Sequence, residues 1–193
     1  MKLDPDKRAS YLSFVRRSFR DIADGDYIAA RISYRYELGP QFLWAGQQAL
    51  EKYLKAILLY NDQSTKNLGH DIEKAYRRLS RIKDVPFKIP DDIEYFIQHL
   101  NRQGNNRYFE KPAYTTGKEL LTLDRVVWHV RKYCLYLHGQ TTPGPDGKRI
   151  NLFPLEIKRI NQFPEEKANE YRIFGGVVSE NSNALSCQHL LSV

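Results

Sequence analysis

Between Asn101 and Lys111 the chain sets Arg102, Arg107 and Lys111 beside Tyr108 and Phe109 in an otherwise polar stretch. Cationic side chains hold phosphates and aromatic faces stack on bases, so this mixture suits contact with single-stranded RNA. The same residues equally suit a loop that anchors Tyr108 and Phe109 in a core and leaves its charges in water. A second group falls on one helix: in the segment from Gln41 to Asn61, Gln48, Glu51, Lys52 and Lys55 share a wedge of about 100°. They could line a cleft for an anionic guest; alternatively Glu51 and Lys55, four positions apart, form an ordinary surface ion pair. Third, His70-Asp71 stands at an expected helix start, where Asp71 can accept a first-turn N–H. His70 then either clamps a loop across the protein or faces bound nucleotide, with the helix amides available to phosphate. No third ligand accompanies His70 and Asp71, so neither a metal nor a cofactor is expected.

Helical periodicity must position these groups. Tyr11, Phe14, Val15, Phe19 and Ile22 recur at three- and four-residue spacings after Pro5, and Asp24-Gly25-Asp26 is expected to break that helix. A second helix runs from Tyr27 to Leu38 and stops at Gly39-Pro40. The next, Gln41 to Asn61, is apolar almost all round: Leu43, Leu50, Leu54, Ile57 and Leu58 form a large-residue face, and Ala45, Ala49 and Ala56 a small-residue stripe. Such a helix belongs at a centre, with neighbours on two sides. Shorter helices are predicted over Asp71 to Leu79 and Asp91 to Leu100, and a long one over Leu120 to His138, whose apolar stripe takes Cys134 into the core. The expected architecture is all-α, an up-and-down antiparallel helical bundle over residues 1–139. Residues 140–193 form a loop and C-terminal extension whose fold the pattern leaves open: Gly139 to Gly147 is rich in Pro and Gly, and Arg149 to Phe163 and Tyr171 to Val178 suggest short strands or an irregular arm.

With 193 residues the chain suffices for one compact domain with an appendage. Lys and Arg number 30 against 23 Asp and Glu, a formal net charge of +7. Residues 1–139 hold 24 basic and 17 acidic side chains whereas residues 140–193 hold 6 of each, so the entire excess sits on the helical part. A surface of that sign favours polyanions. Arg16-Arg17-Arg20 and Arg77-Arg78-Arg81-Lys83 are solvated helix faces or extensions of a basic track. The apolar run from Phe42 to Tyr60 is interrupted by Gln47, Gln48, Glu51, Lys52 and Lys55, which argues against a membrane span, and Met1 to Arg8 lacks the apolar region of a signal peptide. Two cysteines, Cys134 and Cys187, cannot make a disulfide framework. A cytoplasmic protein is expected.

The block Gly46-Gln47-Gln48-Ala49-Leu50-Glu51-Lys52-Tyr53-Leu54-Lys55-Ala56-Ile57-Leu58-Leu59, followed by Lys66-Asn67-Leu68-Gly69-His70-Asp71-Ile72, resembles the core signature of HEPN domains, and Arg107-Tyr108 resembles an Arg-Tyr element seen there. The likeness covers roughly residues 5–139. It implies a helical bundle, frequent homodimerisation, and RNA or nucleotide association, in some relatives within toxin–antitoxin or antiviral systems. Some relatives are metal-independent endoribonucleases with an Arg-x4-6-His motif, and others partner a small nucleotidyltransferase. Arg131 and His138 have the motif's longest spacing. On a continuous helix they would lie about 20° apart in azimuth and roughly 10 Å apart along the axis. In a cleaving relative the histidine would act as acid or base at the ribose 2′-hydroxyl and the arginine would hold the phosphate. His138 equally suits a helix C-terminus, where its cation meets the dipole. Arg125 and His129 lie off the Val127 stripe and are expected at the solvated surface. Three readings follow: an RNA- or nucleotide-binding protein, an endoribonuclease using Arg131 and His138, and a non-catalytic dimerising partner of a nucleotidyltransferase-like protein.

Overall fold

A computed structural model describes residues 4–83, 85, 87, 89–104, 118–134, 141–152, 154, 155, 158, 172, 173, 176 and 177. Helix α1 (Pro5–Val15) opens on an Asp4 cap whose carboxylate accepts the Asp6 amide. It continues through a π-turn, Arg16–Arg20, into α2 (Asp21–Arg35). In that turn the Asp21 N–H donates to the Arg16 carbonyl, five residues back. The expected break at Asp24-Gly25-Asp26 is absent: Gly25 lies inside α2, because burying Ala23, Asp24, Tyr27, Ala30 and Arg31 on one face outweighs the low helix propensity of glycine.

Helix α3 (Gly39–Tyr60) follows a turn in which Glu37 takes φ +58°, and Pro40 occupies its first turn, where no amide hydrogen is needed. Phe42, Leu43, Leu50, Tyr53, Leu54, Ile57 and Leu58 are buried, as are Ala45, Ala49 and Ala56. The helix is the interior rod of the bundle. Helix α2 runs antiparallel to it, since Tyr34 stacks edge-on to Phe42 while Lys52 meets Asp26. Arg8 of α1 bonds Asp62 and the Tyr60 carbonyl at the far end of α3.

Helices α4 (Ile72–Leu79) and α5 (Asp91–Gly104) pair antiparallel through Tyr76–Glu94 at one end and the Ile72 amide on Asn101 at the other. Helix α6 (Glu119–Arg131) lies antiparallel to α5, with Arg125 on Asp92, and antiparallel to α2. It stops at Arg131 rather than at His138: the Tyr133 and Cys134 amides bond three residues back in a tight turn, which delivers the Cys134 thiol to the Tyr53 carbonyl. His129 is buried rather than solvated, packed edge-on against the buried Trp128 at 4.7 Å between ring centroids.

Beyond the bundle, β1 (Thr141–Pro143) and β2 (Arg149–Asn151) form an antiparallel hairpin in register Thr142↔Ile150, turning through Gly147 at φ +72°. A second antiparallel pair joins β3 (Arg172–Ile173) to β4 (Gly176–Val177). Among the described residues no helix is long and apolar enough to cross a membrane.

Candidate functional site

The polar strip of α3 is bridged on both sides rather than open. Toward α2, the Lys52 ammonium donates to Asp26 at 2.6 Å and to the Gln48 amide oxygen at 3.3 Å. Toward the loop of residues 61–71, Gln48 donates to Gln47, and Gln47 donates to the His70 carbonyl, both at 2.8 Å. Lys55 donates at 2.7 Å to both Glu51 and the Gly69 carbonyl. The remaining oxygen of Glu51 lies 2.9 Å from His70 Nδ1. A carboxylate only accepts, so Nδ1 is the donor. The strip is therefore a continuous network in which each cation already faces a carboxylate. Helical geometry alone places these four residues in one wedge; the loop that crosses it comes from elsewhere in the chain.

The loop is held by its carbonyls. Arg78 donates to Ser64 and Lys66, Lys74 to Asn67, Lys55 to Gly69 and Gln47 to His70. Its path needs left-handed backbone at Asn67 (φ +66°) and at Gly69 (φ +57°). Asp71 caps α4 by accepting the Lys74 amide, and Asn101 clasps it from α5 by donating to Asp71 and accepting the Ile72 amide. This places exposed Arg102, the next residue on α5, beside the start of α4.

Charge balance differs sharply between faces. Helix α4 buries Ile72, Ala75, Tyr76 and Leu79 and presents Lys74, Arg77 and Arg78 outward, followed by exposed Arg81 and Lys83. Among the described residues Lys66, Lys74, Arg78, Arg81, Lys83 and Arg102 form no ion pair; on α4 only Arg77 does, with Glu73. Elsewhere Arg8 is matched by Asp62, Arg20 by Asp21, Arg31 by Asp124, Lys52 by Asp26 and Arg125 by Asp92, while Lys7, Arg17, Arg35 and Lys118, which form no ion pair among the described residues, stand singly on α1, the π-turn, α2 and just before α6. Among the described residues uncompensated positive charge is thus densest around the loop and α4. Lys74 lies outside the quoted motifs; the signal for this face is the 3–4 spacing of Lys74, Arg77, Arg78 and Arg81, with the buried residues of α4 on the other side.

Arg131 is drawn into a buried cluster. Its Nε and Nη2 donate to the two oxygens of Asp24 at 2.7 and 2.8 Å, and Tyr53 donates its hydroxyl to the same carboxylate. Burial first, and the adjacent Asp24 charge second, push the Tyr53 phenol far above its ordinary pKa, so it remains a donor. A phosphate held by Arg131 would compete with that carboxylate. His138, Arg107, Tyr108 and Lys111 lie outside the described residues. Among the described residues no group of three or more His, Cys, Asp or Glu side chains could hold a metal ion.

A family model described as HEPN domain matches residues 17–122, which spans the π-turn, α2 to α5 and the first residues of α6. No curated protein and no solved structure matches the chain significantly.

Proposed function

Because this chain belongs to the HEPN domain family, we propose that it binds RNA or a nucleotide, and that the loop of residues 61–71 with α4 is the surface that does so. One observation supports the placement: cations without carboxylate partners cluster here, whereas the strip of α3 neutralises its own. Phosphates binding here displace counterions rather than protein carboxylates, and that release drives association. Arg102 at the head of α4 extends the same surface.

Fluorescence anisotropy of a labelled single-stranded RNA titrated with the full chain tests this. Affinity should fall as salt rises, and Arg81→Glu combined with Lys83→Glu should weaken binding and flatten the salt slope, by about 0.7 for each phosphate no longer neutralised. Binding indifferent to salt, or undiminished in the double variant, overturns the placement.

We also propose that a second copy of the chain covers α2. Ile22, Gly25, Ala29, Ile32 and Tyr36 form an uncharged stripe on its outer face, with Ile22, Ile32 and Tyr36 well exposed. The extra residue in the π-turn brings exposed Phe14 to within about 20° of that line. Such an apolar surface marks a protein interface. It is self-complementary when two α2 helices meet antiparallel: Ile32 of each copy faces the open notch over Gly25 of the other, and Arg35, which forms no ion pair among the described residues, comes opposite Asp21. Sedimentation should show a dimer that Ile32→Asp converts to monomer; a monomeric wild type, or a dimeric variant, rejects the arrangement.

A further inference from the structure

Trp44 sits in the middle of the polar wedge of α3: at 100° per residue it falls between Glu51 and Lys55, with Gln48 and Lys52 to one side. On a helix that is otherwise interior it is 50% exposed, whereas Trp128, the other tryptophan, is 2% exposed. We propose that Trp44 is a stacking platform for an unpaired base, so that the ligand of the loop and α4 surface is a single strand of RNA and not a free nucleotide; the inference rests on the RNA-binding reading above.

Among the described residues the ring has neither a partner for its indole N–H nor an aromatic neighbour. Its neighbours along the strip are two carboxamides, Gln41 three residues before it and Gln48 four residues after, both within side-chain reach on a helix surface. Gln41 is exposed and forms no hydrogen bond among the described residues. Gln48 spends one amide hydrogen on Gln47 and its oxygen on Lys52, and keeps the second hydrogen. A carboxamide donates and accepts at once, which matches the edge of a base. The charges of the strip begin one turn further on, where Lys55 meets Glu51 and Lys52 meets Asp26. The Trp44 end of α3 therefore offers a π-face with neutral, hydrogen-bonding flanks and, on the strip itself, no unmatched cation for a phosphate.

The phosphates have their place on the adjoining loop. Gln47, one turn from Trp44, holds the His70 carbonyl, and Lys55 holds the Gly69 carbonyl, so the loop lies along the same strip. Lys55 is eleven residues from Trp44, about 16 Å along the axis of α3. Past Gly69 the Lys74 ammonium sits on the Asn67 carbonyl and exposed Lys66 follows, both without carboxylate partners among the described residues. A base on Trp44 and phosphates at Lys74 and Lys66 are thus spanned by several linked nucleotides and not by one. Stacking accepts the flat face of any base, but a base paired within a duplex keeps its faces covered. The surface accordingly selects unpaired RNA over both a duplex and a bare polyanion.

The test uses the full chain with a single-stranded oligoadenylate, AMP and inorganic polyphosphate as probes, affinities being read by calorimetry. Trp44 emission is the wild-type fluorescence less that of Trp44→Phe, in which only buried Trp128 remains. Oligoadenylate should quench it, because a stacked base quenches an indole, whereas polyphosphate should bind without quenching. Trp44→Ala should weaken oligoadenylate binding about tenfold and leave polyphosphate affinity and the salt slope unchanged, and Trp44→Phe should retain most of the affinity. AMP should bind far more weakly than the oligomer. Oligoadenylate affinity that survives Trp44→Ala, quenching by polyphosphate as deep as by the oligomer, or AMP binding as tight as the oligomer's overturns the inference and leaves the binding reading standing; absence of oligoadenylate binding overturns both. Emission that changes with protein concentration alone puts Trp44 in a contact between proteins and overturns the inference as well.

Discussion

Asp24 of α2 receives two parallel hydrogen bonds from Arg131 of α6, and the relationship is repeated with the signs exchanged two turns away, where Arg31 of α2 meets Asp124 of α6. Both helices carry an aspartate seven residues before an arginine, so antiparallel packing brings each aspartate against the other's arginine. A tyrosine completes each cluster: Tyr53 donates to Asp24, and Tyr27 donates to Asp124 while accepting from Arg31 at 2.9 Å. Seven residues are about 10.5 Å and nearly two full turns, which keeps both pairs on one seam. A slip of either helix would bury unmatched charges, so the two pairs fix the register of α2 on α6.

Breaking either pair from one side should therefore cost far more than a surface ion pair. Asp24→Ala strands Arg131 and the Tyr53 hydroxyl together and should lower unfolding stability by about 3 kcal/mol or more. Asp24→Asn keeps an acceptor for Tyr53 and should cost less. Urea denaturation at neutral pH compares them; equal and negligible losses would show that the seam does not hold α2 on α6.

How much of this was legible in the sequence depends on whether one helix suffices to reveal it. The apolar arc of α3 and its small-residue stripe are properties of a single helix, and they place it at the centre correctly. The Asp24–Arg131 pair joins residues 107 positions apart, and a charge in a sequence carries no sign of burial, so the two aspartate–arginine spacings pass unnoticed. The strip of Gln48, Glu51, Lys52 and Lys55 is found, but Asp26 and the carbonyls of Gly69 and His70 that complete it come from other elements. The end of α6 is missed because Cys134 continues the apolar phase while reaching the core by a turn instead.

His99 supplies a pH dependence. Burial first, then the nearby Arg102 cation, hold its imidazole below the ordinary value of 6.5, against a smaller opposite pull from Glu119. The unfolded chain therefore binds more protons than the folded one between the two values, and stability rises with pH across that window. Stability present above pH 6.5 should be lost as pH falls toward the folded value. His99→Gln should flatten this loss between about pH 7.5 and 5, read from urea midpoints; a variant with the same acid sensitivity as wild type would exclude His99 as its source.

Cys134 should be chemically silent while the bundle is folded. Burial pushes its thiol well above the ordinary range, and the sulfur already donates to the Tyr53 carbonyl. In a Cys187→Ser background, a thiol reagent at about pH 8 should label the chain only when denaturant is added. Prompt labelling of the native protein would mean that the junction of α3 and the turn after α6 opens readily.

Gly25 separates the two accounts of the N-terminal region. A break at Asp24-Gly25-Asp26 would use the glycine for a turn, and Gly25→Ala would then be neutral or harmful. Inside α2, at an exposed position where a new Cβ meets no atom within 4 Å, alanine only raises helix propensity. The variant should gain about 0.5–1 kcal/mol, a rise of about 1–4 °C in Tm for a chain of this size. The methyl group also begins to fill the notch proposed to face Ile32 of a second copy, so the gain should be largest at protein concentrations where the chain is monomeric. A stabilisation that grows with concentration would place the dimer contact on another face, and a lowered Tm at every concentration would restore the turn.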